Sequence, residues 1–134
     1  MSKSSHDLFA ALQARLIKLD KTRGRIEKLY VSKEIIKFDV EQIYSGLYLD
    51  AFVSLERYVE ELFIGYLTGK MAPASRRVIP LVTFKTHQLA KDVLLSGKRY
   101  LDWIPYSTTR SRAEIFFQNG HPFSTLTLQQ ENLL

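Results

Sequence analysis

A chain of 134 residues favours a single domain and is long enough to bury one real core. Its hydrophobic share of 46% and charged share of 25% are those of a globular protein, not a disordered one. No cysteine is present, which excludes disulfide staples and cysteine-rich zinc sites and fits a reducing, cytoplasmic setting, while the formal net charge of +5 permits an anionic partner such as nucleic acid.

The first seven residues hold no apolar run of the kind a secretory signal needs. Leu8, Leu12, Leu16, Leu19, Ile26 and Leu29 then recur at three-, four- or seven-residue steps and predict one long helix or a broken pair. Ser4 or Ser5 can cap its start, with Asp7 in the first turn where the helix dipole favours an anion. Gly24 falls inside the pattern and costs about 1 kcal/mol relative to Ala, which leaves a kink or a short break open.

The second helix is predicted to start at Asp39 and to run to about Thr68, with Asp39 and Gln42 as a capping pair. Val40, Ile43, Tyr44, Leu47, Ala51, Leu55, Tyr58, Leu62 and Tyr66 form one apolar stripe. Phe52, Val53, Val59 and Phe63 form a second beside it, an arc wide enough for the central helix of a bundle. Asp50, Glu56, Arg57, Glu60 and Glu61 lie within this stretch and exclude a membrane span.

Gly69 supplies a left-handed stop, and residues 71–77 read as a connector. A shorter helix is predicted over about Thr83 to Leu95, broken by Ser96-Gly97-Lys98. Tyr100 to Tyr106 carries Pro105 and reads as irregular. A last short helix is predicted from about Thr109 to Gln118, ending at the Asn119-Gly120 turn signal. Leu126 to Leu134 looks like the opening turns of one more helix without a stop, so the expectation is an all-α antiparallel bundle of four to five helices, a single domain over 1–134, incomplete at its C-terminus. The only β-branched run, Arg77 to Val82, is interrupted by Pro80.

The chemistry is sparse. The six glycines form no phosphate loop, and no serine-nucleophile motif is present. His6, His87 and His121 lie far apart without partner ligands at metal spacing, so neither a metal nor another cofactor is expected. Glu56 is the acid in the least ordinary setting, between Phe52 and Val53 on one side and Val59 and Phe63 on the other. It reads either as an interior acid that orients a base or a cation, or as an edge carboxylate paired locally. His121 follows the Asn119-Gly120 turn and reads first as a turn residue, with acid–base chemistry as the alternative. His87 reads as solvent-facing or at the core edge.

Three groups of cations stand out. Lys18, Lys21, Arg23, Arg25 and Lys28 read as a solvated helix face. Arg76-Arg77 is a second group. Lys98-Arg99 with Arg110 and Arg112 is a third, and Tyr100, Trp103 and Tyr106 interleave with it. Aromatics beside cations can stack on unpaired bases and neutralise phosphates, or they can be core rings below a solvated surface.

Tyr48 to Leu62 resembles the second helix of HEPN-superfamily proteins, in the form A-x-V-x-x-E-x-Y-x-x-x-L carried here by Ala51, Val53, Glu56, Tyr58 and Leu62. Phe116-Phe117 and Gly120-His121-Pro122-Phe123 are similar to a segment of the RiboL-PSP-HEPN branch that precedes its last core helices. The resemblance implies an all-α, often dimeric domain that cuts RNA without a metal, in toxin–antitoxin, phage-defence or RNA-processing systems. It implies a catalytic Arg followed after four to six residues by a His, supported by an acid on the second helix, here Glu56. That Arg–His signature is absent from this sequence, and in this branch it would follow soon after the segment matching Leu126–Leu134.

The leading expectation is therefore a HEPN-type ribonuclease domain without its catalytic helix. Glu56 is its supporting acid, and Arg110, Arg112, Trp103, Tyr106 and His121 are its RNA contacts. A non-catalytic helical module that pairs with a second copy or another subunit is one alternative. A single-stranded RNA-binding domain using Tyr100, Trp103 and Tyr106 is another.

Overall fold

The computed structural model describes residues 4–69, 78–104 and 106–125. These form four α-helices: α1 (Ser5–Val31), α2 (Lys37–Thr68), α3 (His87–Leu95) and α4 (Tyr106–Phe116), followed by single-turn 3-10 helices at Gln118–Gly120 and Phe123–Thr125. The all-α class holds among the described residues. The expected helix at Leu126–Leu134 and the connector at 71–77 lie outside them. The chain divides into two compact units, residues 9–58 and residues 1–8 with 59–134, and α2 contributes to both.

The capping expectation for α1 holds at Ser4. The Asp7 amide donates to Ser4 Oγ at 3.1 Å and the Ser4 amide donates to Asp7 Oδ2 at 3.2 Å, so two helix-end donors are satisfied reciprocally. The helix passes Gly24 without a break. It ends in a Schellman turn: Lys33 takes φ 65°, its amide donates to the Tyr30 carbonyl, and the Glu34 amide donates to the Leu29 carbonyl.

α2 begins two residues before the expected start, since the Val40 amide already donates to the Ile36 carbonyl. Asp39 is therefore inside the first turn, where it meets the positive end of the helix dipole, and is not the cap that an Asp39–Gln42 pair requires. Gly69 ends the helix at φ 68°.

In the 9–58 unit, α1 and α2 form an antiparallel hairpin. Phe9 lies against Tyr58 with ring centroids 6.4 Å apart, and Arg15 grips Asp50, so residue numbers on one helix rise as those on the other fall. Leu12 and Val40 are the buried hydrophobic side chains of this unit.

The other unit is built around Phe63, which is fully buried. Its ring stacks on Phe123 at 5.1 Å and meets Phe117 edge-on at 4.9 Å, Phe116 at 5.9 Å and Trp103 at 5.0 Å. Val59, Ile64, Tyr66, Leu67, Ala90, Leu94 and Ala113 are buried with it.

α3 starts four residues later than the periodicity predicts. The Phe84 amide is committed to the Leu67 carbonyl at 2.9 Å, and Thr86 is the cap, its side chain accepting from the Leu89 amide at 3.1 Å. α4 is displaced towards the N-terminus of its expected span because Phe117 turns extended and bridges Pro80. The Leu81 amide donates to the Phe116 carbonyl and the Gln118 amide to the Ile79 carbonyl, each at 2.8 Å. Asn119 (φ 57°) and Gly120 (φ 71°) then make the expected turn. The positive φ of Gly120 favours glycine, and a Cβ there would stand 3.3 Å from Glu114 Cγ, close enough that the Glu114 side chain would have to shift.

Candidate nucleic-acid groove

The segment that follows α3 owes its path to two successive left-handed residues, Ser96 (φ 49°) and Gly97 (φ 85°). They reverse the chain, and the Lys98 amide closes the turn on the Leu95 carbonyl at 2.9 Å. The chain then runs without regular structure from Lys98 to Ile104 and returns to the core at Trp103. Thr109, fully buried on α4, anchors it there: its hydroxyl donates to the Trp103 carbonyl at 2.6 Å. A buried hydroxyl left without a partner is costly, so this bond holds the segment against α4.

Arg112, one turn further along α4, lies over the result. Its guanidinium carbon is 4.6 Å from the centre of the Trp103 ring, and Nη1 donates to the Asp102 carbonyl at 3.1 Å. Burial lowers the Arg112 pKa, and the carboxylates of Asp102 and Glu60 oppose that shift. A guanidinium remains charged under such a perturbation. The side chain is thus a positive charge with one face on an aromatic ring and one edge on a carbonyl, a restrained arrangement in which few further rotamers are lost on binding.

Between Lys98 and Arg112 lies an open groove of about 720 Å³. Lys98, Arg99 and Arg112 supply three positive charges and Asp102 a single negative one. Leu101 and Ile104 add apolar lining, and Tyr100, 75% exposed, offers a free ring. Phosphate oxygens suit the cations, and a flat aromatic at the rim suits an unpaired base. Among the described residues, no cluster of three His, Asp or Glu side chains stands ready to hold a metal ion.

The sequence-based candidates separate. Trp103 is 1% exposed, its ring between Phe63 and Arg112, so it is a core residue with no face left for a base. The part assigned to it as a stacking ring is corrected: among the three interleaved aromatics, Tyr100 is the exposed one. Arg112 lines the groove. Tyr106, which opens α4, and Arg110 on the same helix are half-buried and are not among its lining residues.

His121 is held in its own turn, with Nδ1 2.6 Å from Ser124 Oγ. His87 is exposed at the start of α3, with Nε2 3.2 Å from Glu61 Oε1. Glu56 belongs to the 9–58 unit and is half-buried rather than interior. Val53, one turn before it, is 42% exposed, so this flank of α2 meets solvent.

The residue that sequence reasoning missed is Thr109. One threonine among several polar residues gives no signal of its own, because its role depends on the Trp103 carbonyl six residues earlier. No helix among the described residues is long and apolar enough to cross a membrane. No protein-family model matches this chain, and no curated protein or solved structure is similar to it.

Proposed function

We propose that this chain binds single-stranded RNA in the groove between Lys98 and Arg112. The observation that carries the reading is the exposed Tyr100 ring beside three cations, one of them locked in place over Trp103. Stacking on an aromatic contributes about 1–3 kcal/mol per base, and phosphate neutralisation adds a salt-dependent share. Titration of a labelled, unstructured 12-nucleotide RNA tests it by fluorescence anisotropy. The double variant Lys98→Gln with Arg99→Gln is expected to lose at least tenfold in affinity and to flatten the salt dependence. Unchanged binding by that variant would contradict the proposal.

The HEPN resemblance extends this reading to a metal-independent ribonuclease of a toxin or phage-defence system, with Glu56 as its supporting acid. The support is the pattern on α2 from Ala51 to Leu62 and the aromatic turn that closes on Phe123. Because the Arg–His signature is absent from this sequence, the chain by itself is expected to bind RNA and leave it intact. Chelator-insensitive cleavage would establish the nuclease instead.

A second reading, pairing with another copy of this chain, draws on the 9–58 hairpin. Phe38, Tyr48, Leu49 and Val53 of α2 are all exposed. A group of large exposed apolar side chains of this kind marks an interaction surface.

A further inference from the structure

The first helix reads in sequence as a solvated basic face, yet the structure sorts its cations into two sets. Arg23 donates to Asp20 Oδ1 at 3.0 Å and to Glu27 Oε2 at 3.1 Å. These are the two acids between Lys18 and Lys28, so a single guanidinium takes both.

Lys18, Lys21, Arg25 and Lys28 are left on another flank. At 100° per residue they fall within an arc of about 80°, while Asp20, Arg23 and Glu27 lie outside it. All four are exposed, and none forms an ion pair among the described residues. The local ion pairs do not neutralise this strip; helix spacing places both acids off it, beside Arg23.

Its shape narrows the partner. From Lys18 to Lys28 the ridge runs about 15 Å along the helix axis. That length covers about four phosphates of one strand of a B-form DNA duplex, spaced at roughly 3.4 Å along the axis, and somewhat more in the more compact A-form RNA duplex. Ala14 and Ser32 share the arc, and the large apolar side chains Ile17 and Leu29 border it without entering it. A helix lying in a membrane interface has an apolar centre flanked by cations, which is the reverse of this order. There is no aromatic ring in the arc to stack on a base, so the ridge can read charge and spacing but not sequence.

We propose that this face of α1 is a second nucleic-acid contact, a phosphate-binding strip that takes the backbone of double-stranded RNA without regard to sequence. It goes beyond the groove, which takes an unpaired segment, and rests on that reading only in the choice of RNA over DNA.

The test measures the affinity of the whole chain for a blunt RNA duplex across a range of salt concentrations. Replacing Lys18, Lys21, Arg25 and Lys28 by Gln is expected to flatten the log–log salt slope by about 3 to 4, close to one for each phosphate left without its cation. Single-stranded RNA binding through the groove is expected to persist in this variant. The groove variant Lys98→Gln with Arg99→Gln should show the opposite pattern, so failure of one site is distinguishable from failure of the other. Arg23→Gln should leave the duplex slope unchanged, and replacing Lys18, Lys21 and Lys28 by Arg should preserve it.

An unchanged slope in the four-Gln variant, or no duplex binding by the wild-type chain, would overturn the proposal. Tighter binding to vesicles rich in phosphatidylserine, or to a polyglutamate peptide, than to duplex RNA would also overturn it. Equal affinity for duplex DNA and RNA would keep the phosphate strip and overturn its assignment to RNA.

Discussion

The two compact units hold themselves together by different means. In the unit around Phe63, five aromatic rings from α2, the 98–104 segment and the end of α4 close on one another, and the burial of each depends on the rest. In the 9–58 hairpin, the fully buried hydrophobic side chains are Leu12 and Val40, and what the structure shows instead is the helix-end turn at Lys33–Glu34 and exposed ion pairs. Exposed pairs contribute little each, so the hairpin relies more on helix propensity. Rigidity is thus concentrated where the groove is built. The hairpin carries surfaces rather than a core.

The largest effect should come from the aromatic centre. Phe63→Ala is expected to cost about 3–5 kcal/mol in chemical denaturation, since it empties the position on which four rings converge. An equal loss from Leu49→Ser, a residue 61% exposed, would abolish the distinction between the units. Leu49→Ser is expected instead to leave the monomer's stability nearly unchanged and to shift any dimer towards monomer in sedimentation velocity. A wild-type chain that stays monomeric at high concentration would contradict pairing through this face.

The smallest effect is electrostatic. Hydrogen bonds from Arg15 hold the Asp50 carboxyl below the ordinary range, with a further bond from Ser54 at 3.2 Å. A depressed carboxylate pKa contributes stability above the unfolded value near 3.9, and that contribution is lost as the pH falls through the folded value. Asp50→Asn should therefore lower the hairpin's stability slightly and evenly from about pH 4 up through pH 7, leave it unaltered in strong acid, and so make the acid limb of its helical signal shallower. A change concentrated at low pH would point to another cause.

Much of the fold is legible in the residues, and the reason differs by element. The Ser4 cap, the stop at Gly69 and the turn at Asn119-Gly120 are local effects, each settled by a few neighbouring residues. The start of α3 and the end of α4 are not local. They move because the Phe84 amide finds the Leu67 carbonyl and because Phe117 bridges Pro80, partners 17 and 37 residues away by their numbers.

The site follows the same rule. Lys98, Arg99, Tyr100 and Arg112 are visible as cations mixed with aromatics. A stacking ring and a core ring nevertheless have the same spelling in that stretch. Phe63, 40 residues before Trp103, covers the tryptophan, and nothing comparable covers Tyr100. The sorting of the α1 cations is intermediate in kind. Its geometry is helical and could be drawn from spacing, but that Arg23 takes both acids emerges only from the bonds formed.

The most direct test of the RNA-binding account is photochemical crosslinking of the wild-type chain to a short uridine-rich single strand, with the attachment site read by mass spectrometry. The account predicts a crosslink at Tyr100, none at Trp103, and loss of the adduct in Tyr100→Ala. A crosslink at Trp103, or the absence of any adduct between Lys98 and Arg112, would contradict it.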